Sequence, residues 1–528
     1  MDEFSVRATG LRKNGGSRRP LRILLVRPQM FNSVCASTPP LGIGYLLTSL
    51  KRDGVPVDFL DLSVTPNPEK QLNAIFARPD KPQIVGVQVF SNELASASDM
   101  LCYLREKLGS QAVLVAGGPH ITTMPHLLFD HLPEADFGIC GEAEKSLTQL
   151  CRYLAGDTDV GLEQIEGLVW RKNGGLRING QSFVEDLDAI GEPDWDGMHL
   201  ENYRADAFGG GFNRDSPAMC IQTSRGCPFN CSFCAVVPIS GHKFRRHSGR
   251  MVAQMVQSLA DRGYREIKIV DDNLAADPRH VREIREAFEE KQINISVSFA
   301  CGMHLRTINE QVIEDGKAIG LYEVMIAIEA GSDRILKDMN KKITVDLARE
   351  KIALLRKHNL PVTAYFMLGY PTETLEDMNK TIRLALDLPL ERVHFNCFSP
   401  YPGSPIFDRL RSEGKLANID MTAIHAETVN YSFVPGMSVK QLAALRRRAL
   451  LSFYLRPRIL WKFFRGMHNP TIFHFRMGKI LEYFGLIRSN KKKRLLCTVD
   501  KGRAHRRASQ DDDLAVSAFP YRPVGQGH

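Results

Sequence analysis

Twice along this chain, short β-branched runs alternate with amphipathic stretches of helical period. That alternation restricts the fold more than any other feature. The first series contains "RILLVRP" (22–28), "VDFLDLS" (57–63), "IVGVQVF" (84–90) and "AVLVAGG" (112–118). Apolar strands separated by helices predict an open, mostly parallel α/β sheet of Rossmann-like type over 21–160. The second series contains "AMCIQTSRG", "EIKIVDD", "ISVSFACG", "EVMIAIEAG", "PVTAYFMLG" and "RVHFNCFSP". Six successive βα steps predict a (β/α)6 partial barrel of TIM type over 215–410. In both architectures ligands gather beyond the carboxyl ends of the strands.

Between the two, 161–214 reads as a connector. It holds a hairpin around "NGG" in "GLVWRKNGGLRING" and a turn-rich "EPDWDGM". Residues 1–20 read as a basic, disordered lead. Residues 411–487 read as helical and 488–528 as a basic, polar tail. At 528 residues the chain is too long for one core. Its formal charge of +9 is concentrated near the termini and gives little reason to expect a nucleic-acid partner. Eleven unevenly spaced cysteines without a secretory leader suit a reducing cytoplasm, and no apolar run is long enough for a transmembrane span. "FYLRPRILWKFFRGM" mixes basic and aromatic residues, which suits either peripheral contact with a membrane surface or a helix packed on the barrel.

The first loop of the second series, "TSRGCPFNCSFC", places Cys227, Cys231 and Cys234 in a CxxxCxxC spacing. Structural zinc usually takes four ligands in two separated pairs. Iron–sulfur clusters also take cysteine thiolates, and three cysteines on a cubane leave one iron open. An open position suits a catalytic metal; both metals remain readings of the spacing alone.

The loop, with aromatic Phe233 before the last cysteine, resembles the defining motif of the radical S-adenosylmethionine superfamily. The resemblance implies a [4Fe-4S] cluster on Cys227, Cys231 and Cys234, whose open iron chelates S-adenosylmethionine. Reductive cleavage then yields a 5′-deoxyadenosyl radical. "IAIEAGSD" resembles the segment that contacts S-adenosylmethionine, through Glu329 and Ser332; a barrel-interior carboxylate paired with a base is the plainer reading of Glu329. "VDDNLAAD" places Asp271 and Asp272 at a strand end on the ligand side. "YFMLGYPTET" and "SPYPGSP" resemble turn segments of the same family. Cys301 and Cys397 read as packing residues, and His304 as a possible substrate neighbour.

The first series resembles the cobalamin-binding domain of the cobalamin-dependent class, through "STPPLGIGYL", Gly117, Gly118 and His120 of "GGPHIT", and Glu142 of "GEAEKSL". Glycines there would let backbone approach a bulky corrin. The Asp-x-His-x-x-Gly motif that ligates cobalt in many such domains is absent, so His120 is not expected as the axial ligand. Members use S-adenosylmethionine both to methylate cobalamin and to form the radical. The resemblance therefore implies methyl transfer to an unactivated carbon or phosphorus of a small-molecule, lipid or tetrapyrrole substrate, with cyclisation of the magnesium-protoporphyrin monomethyl ester type, or ring rearrangement without methyl transfer, as the alternative. It also implies an electron donor such as flavodoxin or ferredoxin. A tRNA methylthiotransferase would carry a second three-cysteine set, and Cys35, Cys102, Cys140 and Cys151 are too scattered for one. A binding module would need neither the open-iron loop nor the adenosine segment.

Overall fold

A computed structural model describes residues 21–29, 38–203, 213–417, 419–420, 424 and 429–465. The expected basic lead, the polar tail and Cys35 lie outside them.

The first sheet has seven strands: β1 (Ile23–Arg27), β2 (Val57–Asp61), β3 (Ile84–Gln88), β4 (Val113–Gly117), β5 (Phe137–Ile139), β6 (Leu168–Lys172) and β7 (Gly175–Ile178). Their order is β2-β1-β3-β4-β5-β6-β7. The first five run parallel. β1 is wholly buried because helices cover both faces. Side chains alternate between two cores. Leu24, Val26, Val85 and Leu114 pack against helix Leu94–Leu108. Ile23, Leu25, Ile84 and Val113 face helices Leu41–Arg52 and Glu144–Ala155.

The hairpin expected in the connector belongs to this sheet. Ile139 pairs with Leu168 and Gly138 with Val169, both antiparallel. The physical reason is burial: Leu168, Val169 and Trp170 are at most 5% exposed and complete the core beside β5. Further along, Leu187 and Ile190 pack on Tyr45, tying the rest of the connector to helix Leu41–Arg52.

The second sheet contains β8 (Ala218–Ile221), β11 (Glu266–Ile269), β12 (Ser296–Met303), β13 (Leu321–Glu329), β14 (Val362–Leu368) and β15 (Arg392–Cys397). They are all parallel and adjacent in chain order, as six βα steps predict. Between β8 and β11, β9 (Ser224–Arg225) and β10 (Arg245–Arg246) form a small antiparallel ladder. The core of this partial barrel is continuous with one face of the first sheet, so the two α/β units pack against each other. Helix Val439–Tyr454 covers β15: Arg446 Nε donates to the Phe395 carbonyl at 2.7 Å and Tyr454 Oη to that of Val393 at 2.8 Å. The basic-aromatic segment opens on the last two residues of that helix and continues as helix Pro457–Arg465, with Trp461 exposed. Among the described residues no helix is long and apolar enough to cross a membrane.

Candidate active site at the carboxyl ends of both sheets

The cysteine loop leaves β8 under tight restraint. The Thr223 N–H and hydroxyl donate to Asp271, both at 2.6 Å, and the Ser224 hydroxyl donates to the same carboxylate at 2.5 Å. Asp271 is buried, and burial pushes its carboxyl up to about 6 despite these donors. Asp272 accepts the Gly226 N–H at 2.9 Å. Gly226 has φ +89°, and a Cβ there would lie 2.2 Å from the Lys243 carbonyl oxygen, so no other residue fits. Asp271 therefore acts on the loop, through Thr223 and Ser224, rather than facing a ligand.

Farther on, the loop is tied down on two sides. The Ser232 N–H donates to the Met339 carbonyl at 2.9 Å, and the Ile406 N–H donates to that of Ser232 at 2.8 Å. Ile406 lies in the first turn of helix Pro405–Ser412, which starts on the last residue of "SPYPGSP", and this gives that segment a role in seating the cysteines. The Val236 N–H points at the Cys234 sulfur at 3.4 Å. Burial raises all three thiols, Cys234 to about 12; the other cysteines add to the rise at Cys227 and Cys234, and Glu329 adds to it at Cys231. Lys341 works the other way on each of them.

Lys341 Nζ lies 3.3 Å from Glu329 and 5.6 Å from the centre of the Phe233 ring. Burial opposes its charge, but Glu329 and the cysteines outweigh burial and hold it above its ordinary value. Glu329 sits at φ +71°, where the β13–β14 register slips by one residue, and that kink aims it along the strand end. Ser332 is engaged elsewhere, donating to Asp377 at 2.7 Å. Phe229 of the cysteine loop stacks on His304 at 3.6 Å, and His304 Nε2 contacts the Lys341 carbonyl at 2.8 Å.

Three thiols on one restrained loop, with a buried ammonium beside them, fit a cubane cluster, which Cys227, Cys231 and Cys234 would hold while the cation offset their charge. No group of three or more His, Cys, Asp or Glu side chains converges on a single-ion position among the described residues. A cubane does not require such convergence.

At the carboxyl edge of the first sheet, His120 is fully buried. Its Nδ1 meets the Ser91 hydroxyl at 2.9 Å and its Nε2 meets His131 at 3.0 Å. With both nitrogens engaged it is not poised to ligate. Gly118, at φ +110°, is explained by the fold, since a Cβ would lie 2.9 Å from the Val89 carbonyl oxygen; Gly117 has no such restraint. Sequence reasoning missed Gln88 and Glu93. The buried Gln88 Oε1 and Glu93 Oε1 have no hydrogen-bond partner among the described residues. Burial pushes the Glu93 carboxyl up to about 7. Buried acceptors at this edge fit a ligand rich in amide N–H groups, as cobalamin is. The detectable signal was an acid inside the strand-end loop "FSNELAS".

Glu142 joins the two units. It accepts from Arg245 at 2.7 and 2.8 Å and from the Val184 N–H at 2.6 Å. Glu144 accepts from Arg225 at 2.8 Å, and Arg225 lies 5.0 Å over the Tyr45 ring. Arg225 stands two residues before Cys227, so the cysteine loop is clamped directly to a strand-end loop of the first sheet.

Two family models match the chain: the Radical SAM superfamily over residues 221–385 and the B12 binding domain over 30–151. An uncharacterised methyltransferase of Pyrococcus horikoshii is 28% identical over 88% of this chain and 99% of its own length. Cytidylyl-2-hydroxyethylphosphonate methyltransferase of Streptomyces wedmorensis is 27% identical over 75% and 83%. Anaerobic magnesium-protoporphyrin IX monomethyl ester cyclase of Cereibacter sphaeroides is 25% identical over 74% and 64%. Among solved structures, the radical S-adenosylmethionine methyltransferase TsrM from Kitasatospora setae, with cobalamin and a [4Fe-4S] cluster bound, shares the fold at TM-score 0.65 and 18% identity. That match covers 82% of this chain and 91% of TsrM.

Proposed function

The chain belongs to the cobalamin-dependent radical S-adenosylmethionine enzymes, and we propose that it transfers a methyl group to an unactivated carbon or phosphorus centre of a small-molecule substrate. Its cofactors are a [4Fe-4S] cluster, S-adenosylmethionine and cobalamin. When bound, they supply an adenosyl radical for hydrogen abstraction and a methyl group for transfer.

The observation that carries the reading is the clamp between Arg225 and Glu144, which joins the cysteine loop to the carboxyl edge of the first sheet. Methyl transfer to a substrate radical requires the methyl-bearing face to lie near the radical-forming one, and the clamp holds the two edges together. Similarity to the Pyrococcus horikoshii methyltransferase over most of both chains supports the same reading.

In this proposal Cys227, Cys231 and Cys234 hold the cluster, and Glu329 receives the polar end of S-adenosylmethionine with Lys341 as its counter-charge. Phe233 lies against the same cation. Asp271 and Ser332 position their loops. Gln88 and Glu93 face cobalamin, with Gly117, Gly118 and His120 shaping that edge and Glu142 holding it to the barrel. A flavodoxin or ferredoxin would deliver the electron, and the enzyme would act in the cytoplasm. A second reading, oxidative cyclisation without methyl transfer, is supported by similarity to the cyclases.

The test is product analysis of anaerobically reconstituted protein given S-adenosylmethionine and a low-potential reductant. 5′-Deoxyadenosine with S-adenosylhomocysteine supports methyl transfer. Deoxyadenosine alone favours the cyclase reading. Neither product, from cluster-loaded protein, overturns both.

A further inference from the structure

The barrel lumen carries a feature that the clamp and the cysteine loop do not use. Ala327, Tyr365 and His394 stand in register across β13, β14 and β15. Gly302 of β12 faces the same space, since a Cβ on it would lie 3.2 Å from Ala327 Cβ and 3.7 Å from Tyr365 Cδ2. These four residues form one layer, and two of them are small, which opens room opposite the aromatic pair. Tyr365 and His394 stack at 4.9 Å with planes 22° apart, and the Tyr365 hydroxyl is turned away onto Met325 Sδ at 3.3 Å. One face of the imidazole is therefore covered. Even so, His394 is exposed although it sits mid-strand in a packed sheet, and neither ring nitrogen has a hydrogen-bond partner among the described residues. A ring surrounded by protein yet open to solvent lines an internal cavity. The protein packed around this opening limits solvation of a charged ring and, with Arg392 and Arg446, lowers its pKa to about 4, so it is neutral at neutral pH.

Below this layer the lumen is closed by paired charges. Arg392 is bound to Glu323 and reaches Thr363 at 3.1 Å, Thr363 donates to Glu323 at 2.7 Å, and Lys268 lies 2.9 Å from Glu266. The Arg392 and Lys268 cations of this floor are thus each paired with a carboxylate. Above it, His304 follows Gly302 by two residues and stacks on Phe229 of the cysteine loop. The layer therefore lies just beneath the radical-forming site.

We propose that the Gly302–Ala327–Tyr365–His394 layer seats the reacting part of the substrate, and that this part is a planar ring stacked on the open face of His394. The proposal rests on the barrel enzyme reading above and deepens it. An imidazole backed by tyrosine favours flat rings.

The test uses the full chain under anaerobic conditions with indole and cyclohexanol as probes. Diethyl pyrocarbonate acylates accessible neutral imidazoles, and peptide mass spectrometry resolves each site. His394 is expected to react while fully bonded His120 stays inert. Saturating indole should slow the His394 reaction about tenfold and cyclohexanol should not. In calorimetry, H394A should weaken indole binding about tenfold while keeping cluster content and the far-ultraviolet spectrum. An unreactive His394, equal protection by both probes, protection by neither, or unchanged indole binding in H394A would each overturn the proposal. Failure here with both products formed in the product assay removes this substrate class alone. Indole binding in a protein that cleaves no S-adenosylmethionine removes the functional reading instead.

Discussion

Arg225 and Glu144 meet across the boundary between the two α/β units at 2.8 Å, with both side chains less than a tenth exposed. Removing one partner of such a pair leaves a buried charge uncompensated. Arg225→Ala should therefore lower stability by about 3–5 kcal/mol in urea titration. Glu142, 3.4 Å from the same guanidinium, keeps part of the attraction, so Glu144→Gln should cost less. If Arg225→Ala unfolds at the wild-type midpoint, the clamp is not structural.

Cys227→Ala, Cys231→Ala and Cys234→Ala should each abolish formation of 5′-deoxyadenosine. In the metal-free chain, burial raises these thiols, so alkylation by iodoacetamide at neutral pH should be slow and should accelerate as pH rises. Cluster assembly must release the thiol protons and should speed up over the same range. Rapid, pH-independent alkylation would contradict this environment.

Glu329 and Lys341 form a buried pair beside the cysteines. Glu329→Gln and Lys341→Met should each destabilise the fold. The double substitution should cost less than the sum of the two, with a coupling of about 1–3 kcal/mol. Additive costs in a urea double-mutant cycle would show that the pair contributes nothing jointly. Glu329→Gln should also weaken S-adenosylmethionine binding, which calorimetry would measure directly.

His120 gives a pH dependence of defined sign. Burial, then His131, lowers its pKa to about 4, below the ordinary 6.5. The unfolded chain therefore binds more protons between those values. The contribution of His120 to stability is complete above about 6.5 and is lost as pH falls towards 4. His120→Asn should flatten that acid limb by roughly 3 kcal/mol in urea midpoints recorded against pH. An unchanged slope would place the titration on another group.

The strands were legible because each is a short run of β-branched and aliphatic residues, and the cysteine loop because its spacing is local. What escaped depends on distance along the chain. Leu168 pairs with Ile139, 29 positions earlier in the chain, so the hairpin read as a connector. Glu144 lies 81 residues before Arg225, and the arginine two places ahead of the first cysteine read as part of the motif. Asp271 sits at the predicted strand end, but only the structure shows its carboxylate turned onto Thr223 and Ser224. Glu329 was foreseen with a basic neighbour; that the neighbour is Lys341, within reach of the cysteines, follows from the turn after helix Asp333–Asp338.

The β6–β7 hairpin also decides how the molecule can be divided. β7 is exposed along its whole length and forms the outer edge of the first sheet, guarded by Lys172 and Arg177. A fragment ending at residue 160 would bare the β5 edge and the apolar face that Leu168, Val169 and Trp170 cover. Such an edge recruits strands from other chains. Fragments of the first domain should therefore aggregate when cut at 160 and stay dispersed only when the hairpin is retained.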